Sequence, residues 1–231
     1  MAYFLYHTAC GDCGSRDNLG HYSDGSTYCF GCGASTATTN IRGKLNKEKK
    51  QDKLVQLPND FSLDVPQKFI DWLSKYGNYS DYQRYVGYSE FYDRAIFPYK
   101  TKQGLLFGWQ GRSLEDKNKK WLSIGKLTDN PMVYGNGDKL VLVEDVISAI
   151  KISKFTSCMV LFGTNISLNH VKTALEAKKQ VVIWLDKDKR NKSIRDASRL
   201  RGFGLSVGVV FSEKDPKELT NSEIVKKLWT N

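Results

Sequence analysis

Two sets of side chains in this chain have types and spacings that do chemistry. The first is cysteine: Cys10-Gly-Asp-Cys13 and Cys29-Phe-Gly-Cys32, with fifteen residues between the pairs. Two Cys-x-x-Cys pairs so spaced match a four-thiolate zinc site. A glycine follows each pair, Gly14 and Gly33, as a tight knuckle requires. Four thiolates complete a tetrahedron and leave no open position, so this metal is structural. The second set is carboxylate. Glu144 follows the apolar run KLVLV, Asp186 and Asp188 follow QVVIWL as Asp-x-Asp, and Asp215 comes shortly after LSVGVVF. Acids gathered at strand ends repel one another unless cations lie among them. Hard oxygen ligands on a rigid edge suit Mg²⁺ or Mn²⁺, and two such ions can polarise the attacking and leaving oxygens of a phosphoryl transfer.

These acids act together only if the chain brings three strand ends to one place. From Lys139 the pattern becomes regular: KLVLV, helix DVISAIKISK, CMVLF, helix SLNHVKTALEAKK, QVVIWL, helix NKSIRDASRLRG, LSVGVVF and a last helix near 222–229. Apolar runs alternating with helices predict a parallel sheet whose ligand site lies beyond the strands' carboxyl ends. Upstream, 66–76 carries Phe69, Ile70, Leu73 and Tyr76 at helical spacing, and 82–88 reads as a further short helix. RAIFPY and GLLFGWQGRSL read as strands joined by a hairpin at Thr101-Lys-Gln-Gly, followed by a short strand from Trp121. The fold class expected is α/β: an N-terminal zinc ribbon, a mixed α+β basic subdomain, then a parallel-sheet subdomain.

The ribbon is expected over residues 1–38, a basic linker over 39–57, a basic subdomain over 58–136 and the sheet subdomain over 137–231. The first segment has too few aliphatic residues to build a core, so metal must hold it. Asp24-Gly25 suits a hairpin turn between the cysteine pairs. His21, Tyr22, Tyr28 and Phe30 either stack on unpaired bases or form the ribbon's small core. His7 and His21 read as bystanders to the metal, and Cys158 as a buried thiol in an apolar strand. The run from Asn40 to Lys53 is lysine-rich and reads as an exposed tether.

A net charge of +10 over 231 residues points to polyanionic partners, nucleic acid first among them. No run approaches the length of a membrane span, and the start lacks the form of a signal peptide. Paired cysteines without a secretion signal imply a reducing compartment and a cytoplasmic setting.

Together the motifs resemble one family. Glu144, Asp186 with Asp188, and the turn Gly163-Thr164-Asn165 resemble the Toprim domain of bacterial DnaG-type and phage DNA primases. The four-cysteine ribbon, RAIFPY and GWQGR resemble that family's zinc-binding domain and basic polymerase subdomain, in the same order. The resemblance implies catalytic and magnesium-binding roles for Glu144, Asp186 and Asp188, and a catalytic acid at Asp215. It implies that Arg94, Arg112, Lys120, Lys126, Thr164 and Asn165 hold nucleotide or template. One departure stands out: the family usually has glycine after the glutamate and aspartate four residues after it. Here those positions are Asp145 and Ser148. Asp145 either replaces part of the missing carboxylate or caps the next helix.

The activity implied is DNA-templated synthesis of short RNA primers from nucleoside triphosphates on single-stranded DNA. The cofactors implied are one structural Zn²⁺ and two catalytic Mg²⁺ or Mn²⁺. The partners implied are template, nucleotides, the RNA–DNA hybrid product and a replicative helicase in trans, since no phosphate-binding loop of the Walker type is present. The compact order suggests a bacteriophage protein acting in the host bacterial cytoplasm. The alternatives are a Toprim-type metal-dependent nuclease and a non-catalytic binder of single-stranded DNA.

Overall fold

The computed structural model describes residues 3–36, 55–101, 103–115 and 119–229. Most of the expected linker, 39–54, therefore lies outside the described residues. The chain divides into two compact units, 1–53 and 54–231.

The first unit is a four-stranded antiparallel sheet in the order β1-β2-β3-β4: β1 Phe4–Thr8, β2 Leu19–Tyr22, β3 Thr27–Cys29 and β4 Ser35–Thr36. The β2–β3 hairpin turns at Asp24-Gly25, with the Tyr22 amide bonded to the Ser26 carbonyl at 3.0 Å. The opening strand β1 carried no sequence signal, because Phe4, Leu5 and Tyr6 are all exposed and show no alternation. Among the described residues of this unit only Cys10, Gly20 and Cys29 are buried. Its interior is two thiols and a glycine, so the burial that normally offsets chain entropy is missing.

The second unit begins with helix α1, Gln67–Ser74, started by Pro66 and burying Phe69, Trp72 and Leu73. Trp72, rather than Ile70, completes the buried face. The helix expected over 82–88 is not formed. Two single 3₁₀ turns, Tyr79–Asp81 and Gln83–Tyr85, lead into strand β5, Gly87–Ser89. Tyr82 is buried between the turns with its hydroxyl donating to the Tyr76 carbonyl at 3.2 Å, and Val86 is already extended. Gly87 then passes so close to Phe61 that a Cβ would lie 2.4 Å from its ring. Tertiary packing here overrides the local apolar spacing.

An antiparallel sheet follows in the order β5-β6-β7-β8, with β6 Arg94–Lys100, β7 Leu106–Arg112 and β8 Trp121–Gly125. Pro98 lies on β6 beyond the last residue paired with β5, so its missing amide breaks no ladder there. The expected β6–β7 hairpin closes with Thr101 N–H bonded to the Leu105 carbonyl at 2.9 Å.

The second sheet has the order β13-β12-β10-β11-β9. Its strands are β9 Met132–Tyr134, β10 Lys139–Val143, β11 Ser157–Val160, β12 Gln180–Ile183 and β13 Val207–Val209. All pair in parallel except β9, an antiparallel edge too short to read from sequence. The helices are α2 Val146–Ile152, α3 Leu168–Ala177, α4 Arg190–Gly202 and α5 Asn221–Trp229. Alternation along the strands builds two cores. Val141, Val143, Val160, Val182 and Trp184 join Phe69, Phe97, Tyr99, α2 and α5 on one face. Leu140, Leu142, Met159, Val181 and Ile183 pack with Val171, Ala174, Ala197 and Leu200 of α3 and α4 on the other. The antiparallel sheet is thus fused to one face of the parallel sheet through shared core. Among the described residues no helix is long and apolar enough to cross a membrane.

Gly125 closes β8 at φ +93°, where an added Cβ would stand 2.3 Å from the Phe107 carbonyl oxygen. Gly125→Ala therefore combines backbone strain with a clash and should destabilise the second unit by about 2 kcal/mol or more. Thermal unfolding should show a midpoint lower by roughly 4–8 °C; an unchanged midpoint would contradict the packing described.

Candidate active site

In the ribbon, both cysteine pairs sit on the same knuckle. The Gly14 amide donates to the Cys10 carbonyl at 2.9 Å and the Gly33 amide to the Cys29 carbonyl at 2.8 Å, with both glycines at positive φ. The four sulfurs all lie within 4.8 Å of one another, with Cys10–Cys32 at 3.8 Å and Cys13–Cys29 at 3.7 Å. A tetrahedral zinc with bonds of about 2.3 Å needs sulfur–sulfur edges of about 3.8 Å, so the donor set fits. Both histidines turn elsewhere: His21 bonds Thr8 Oγ1 at 2.8 Å and stacks on Tyr6, while His7 packs edge-on against Phe4 and Phe30. Tyr28 and Phe30 are exposed, 42% and 58%, which places them on the ribbon's surface and not in a core. Cys158 is fully buried in β11.

In the second unit the carboxyl edge of the parallel sheet is set by its own backbone ladder. Trp184 N–H donates to Leu142 O at 3.0 Å and Leu161 N–H to Val143 O at 2.9 Å, so the three central strands end level. Glu144 leaves β10 at that level. Its carbonyl accepts from Gly163 N–H at 3.1 Å, which ties the Gly163-Thr164-Asn165 turn to it, and its Oε1 accepts from Asp186 N–H at 3.1 Å. Asp186 opens a single 3₁₀ turn over Lys187–Lys189. Asp215 stands on the loop beyond β13, and that loop is pinned from below. Buried Trp184 donates through Nε1 to Ser212 Oγ at 2.9 Å, and Ser212 Oγ donates to Lys214 O at 2.7 Å.

The structure brings Glu144, Asp186 and Asp215 to one edge and turns Asp188 outward. The Asp188 side chain is 63% exposed and ion-paired with Lys189, which holds its carboxyl below the usual range. Burial pushes Glu144 upward. Burial first, then the charge of Glu144, pushes Asp186 up to about 7. Two half-buried carboxylates, both pushed upward by burial and one of them also by its neighbour's charge, are a pair short of positive charge, and a divalent cation with oxygen ligands fits that need. The edge is looser than the ribbon: among the described residues only the four cysteines form a set of three or more His, Cys, Asp or Glu with ligand atoms within 4.8 Å.

Asp145 is the cap of α2. Its carboxylate accepts from the Ser148 amide at 2.9 Å and the Ser148 hydroxyl at 3.0 Å. It also pairs with Lys217 Nζ at 2.9 Å, and the same ammonium lies 3.4 Å from Asp215. Lys217 was not singled out in the sequence; its signal was a lysine two residues after the acid in Asp215-Pro-Lys.

Beside this edge opens a cleft of about 330 Å³. One wall carries Trp72, Arg112, Lys120 and Trp121, the other Asp145, Asp215 and Lys217. The Arg112 guanidinium lies over Trp72 at 5.2 Å and Trp121 at 5.6 Å, and its Nε is buried without a partner. Neither tryptophan was foreseen as a site residue. Arg94 is different: it is buried, and Nη1 donates to the carbonyls of Gly111 at 3.0 Å and Lys119 at 2.9 Å, which makes it a strut between β7 and the residues leading into β8. Lys126 lines a separate groove of about 440 Å³ with Ser123, Thr128 and Phe162.

Two measurements check these centres. Cys13→Ser should lose the bound zinc, near one equivalent in the wild type, and melt the ribbon's circular-dichroism signal while leaving the second unit's transition in place. A ribbon that stays folded without zinc would refute the metal-core argument. Asp186→Asn should raise the melting temperature by a few degrees in magnesium-free buffer, because it relieves like-charge repulsion worth on the order of 1 kcal/mol. Added Mg²⁺ should narrow that difference by stabilising the wild type more; a variant less stable than the wild type in both buffers would count against the repelling pair.

No known protein-family model matches the chain. A DNA helicase/primase of Enterobacteria phage T3 is 22% identical over an alignment covering 98% of this chain and 44% of that protein, so the chain spans less than half of this relative. Among solved structures, the primase fragment of the bacteriophage T7 primase-helicase superposes with a TM-score of 0.54 at 19% identity, covering 99% of both chains. The zinc-binding and RNA polymerase domains of the Aquifex aeolicus primase give 0.59 at 17% identity, over 98% of this chain and 77% of that one. The Escherichia coli primase catalytic core gives 0.60 at 17% identity, over 73% of this chain and 74% of that one. The chain therefore has the zinc-ribbon and catalytic-core fold of the DnaG-type and phage primases.

Proposed function

We propose that this chain is a DNA primase, a nucleotidyltransferase that makes short RNA primers on single-stranded DNA from nucleoside triphosphates. The observation that carries the reading is the pairing of Glu144 with Asp186 at the sheet's carboxyl edge, beside a cleft walled by Arg112 and Lys120. In this organisation residues 1–38 form the ribbon, 58–136 the basic subdomain and 137–231 the catalytic subdomain. The relative from phage T3 and the solved primases support it, since their names carry the activity and their fold is the one seen here.

In the mechanism, Glu144 and Asp186 would hold a divalent cation, Mg²⁺ or Mn²⁺. When bound, that ion supplies Lewis-acid polarisation of the phosphoryl oxygens and of the attacking 3′-hydroxyl. Arg112, resting against two indoles and with one N–H unspent, presents its fork to phosphate, and Lys120 adds a charge on the same wall. Together they offset charge that builds as pyrophosphate leaves. The rings of Trp72 and Trp121 give bases an apolar wall. Thr164 and Asn165 follow Gly163, whose amide bonds the Glu144 carbonyl, and so stand near enough to that carboxylate's strand end to meet nucleotide. No covalent nucleophile is required, because the chemistry is positioning and charge neutralisation. The ribbon's exposed Tyr28 and Phe30 serve as stacking surfaces for unpaired template bases. The RNA–DNA hybrid is the product, a replicative helicase delivers the template, and the setting is the bacterial cytoplasm.

The test is a template-dependent assay with labelled ribonucleotides and Mg²⁺ or Mn²⁺. The wild type should make primers, with template affinity falling steeply as salt rises. Glu144→Gln should lower primer yield by at least about 100-fold, as loss of a metal-holding carboxylate implies, while DNA affinity stays within about threefold. Wild-type yield from that variant would remove Glu144 from the site. Template cleavage without synthesis would favour a nuclease, and binding without either reaction a non-catalytic protein.

A further inference from the structure

We propose that the Lys217 ammonium is a built-in cation of the acidic edge, standing where a second divalent ion would sit, so that the nucleotide-free protein holds a single ion at Glu144 and Asp186. This inference rests on the reading of that edge as the catalytic centre.

Five carboxylates lie along or next to the edge: Glu144, Asp145, Asp186, Asp188 and Asp215. Three are already engaged by lysine. Asp188 pairs with Lys189. Asp145 and Asp215 share the Lys217 ammonium, at 2.9 Å and 3.4 Å. Asp145 has further commitments, since it accepts from both the amide and the hydroxyl of Ser148. Among the described residues no cation comes within 4.0 Å of the Glu144 or Asp186 carboxylate. These two alone remain to bind a metal.

Lys217 is held in place. Its side chain is only 20% exposed. Its carbonyl accepts from Lys151 Nζ at 2.8 Å, Pro216 fixes the turn before it, and the Glu218 side chain accepts from the Asp215 amide at 3.3 Å. A second divalent ion would need the oxygens of Asp145 and Asp215 at about 2.1 Å. The ammonium already lies between those oxygens, and two cations cannot share them without strong repulsion.

The same contacts account for the two sequence departures noted above. Where the resembled family has glycine and then aspartate, this chain has Asp145 and Ser148. In the structure these two and Lys217 are one connected set, with Ser148 and Lys217 both bonded to the Asp145 carboxylate. The carboxylate missing at Ser148 and the lysine present at 217 act on the edge in one direction: fewer acids to neutralise, and a permanent positive charge to do it. The two divalent ions expected from sequence become one resident ion and one lysine.

The experiment counts Mn²⁺ bound to the zinc-loaded, nucleotide-free chain by the electron paramagnetic resonance signal of free Mn²⁺. The wild type, Lys217→Met, Lys217→Gln and Glu144→Gln are compared. Methionine keeps the aliphatic stem and glutamine keeps a polar tip, and melting curves report whether each variant folds. The wild type should bind one Mn²⁺, both Lys217 variants two, and Glu144→Gln should bind its ion at least tenfold more weakly. Two ions in the wild type, or one in a folded Lys217 variant, would overturn the role given to Lys217 while leaving Glu144 as a ligand. Unchanged Mn²⁺ binding in Glu144→Gln would overturn the catalytic reading and this proposal together. If neither Lys217 variant folds, the wild-type count decides: one supports the proposal and two rejects it.

Discussion

The structure depends on an uneasy contact at the end of β10, where Glu144 accepts a hydrogen bond from the backbone of Asp186 while the two carboxylates repel. The hydrogen bond fixes the distance and the repulsion makes the site wanting. Neither group can relax away, because β10 and β12 are paired residue for residue from Lys139 opposite Gln180 to Leu142 opposite Ile183. The interior beneath them is Val, Leu, Ile and Trp on both faces. A sheet so packed can hold unfavourable charge at its rim, since the cost of the rim is small beside the burial below it.

The cleft follows from how the two halves of the second unit share one core. Trp72 comes from α1, Arg112 from the end of β7 and Trp121 from the start of β8, while Asp145 and Lys217 belong to the parallel-sheet half. A cationic wall and an acidic wall face each other only because Phe97 and Tyr99 of β6 pack into the same cluster as Val143 and Val146. Polyanion and divalent ion can then be held at neighbouring places without cancelling one another.

Most of the parallel sheet is legible in the sequence, because KLVLV and QVVIWL are runs with no polar interruption and leave few alternatives. The cysteine cluster was legible for a similar reason: its spacing is the geometry. What escaped were features made by distant contacts. The 3₁₀ turns at 79–85 carry a helix-like apolar pattern, yet Tyr82 is taken by the core and Gly87 is forced against Phe61. Strands β1 and β9 are short or exposed and leave no periodic trace. The bracing of the Gly111 and Lys119 carbonyls by Arg94 joins positions 17 and 25 residues away, which no local pattern announces. Lys217 was passed over because a lysine in a turn usually faces water, and only the fold carries it across to α2.

The ribbon's interior has a consequence for how such a protein changes over time. Almost every described residue of that unit other than Cys10, Gly20 and Cys29 reaches solvent. Replacing its outward aromatics opens no cavity, and a cavity is what makes most substitutions harmful. The ribbon's face is therefore free to acquire new preferences for what it touches while the thiolates keep its shape. The densely filled second unit has no such licence. The two parts of one polypeptide are subject to different rules of mutation, one set by coordination chemistry and the other by close packing.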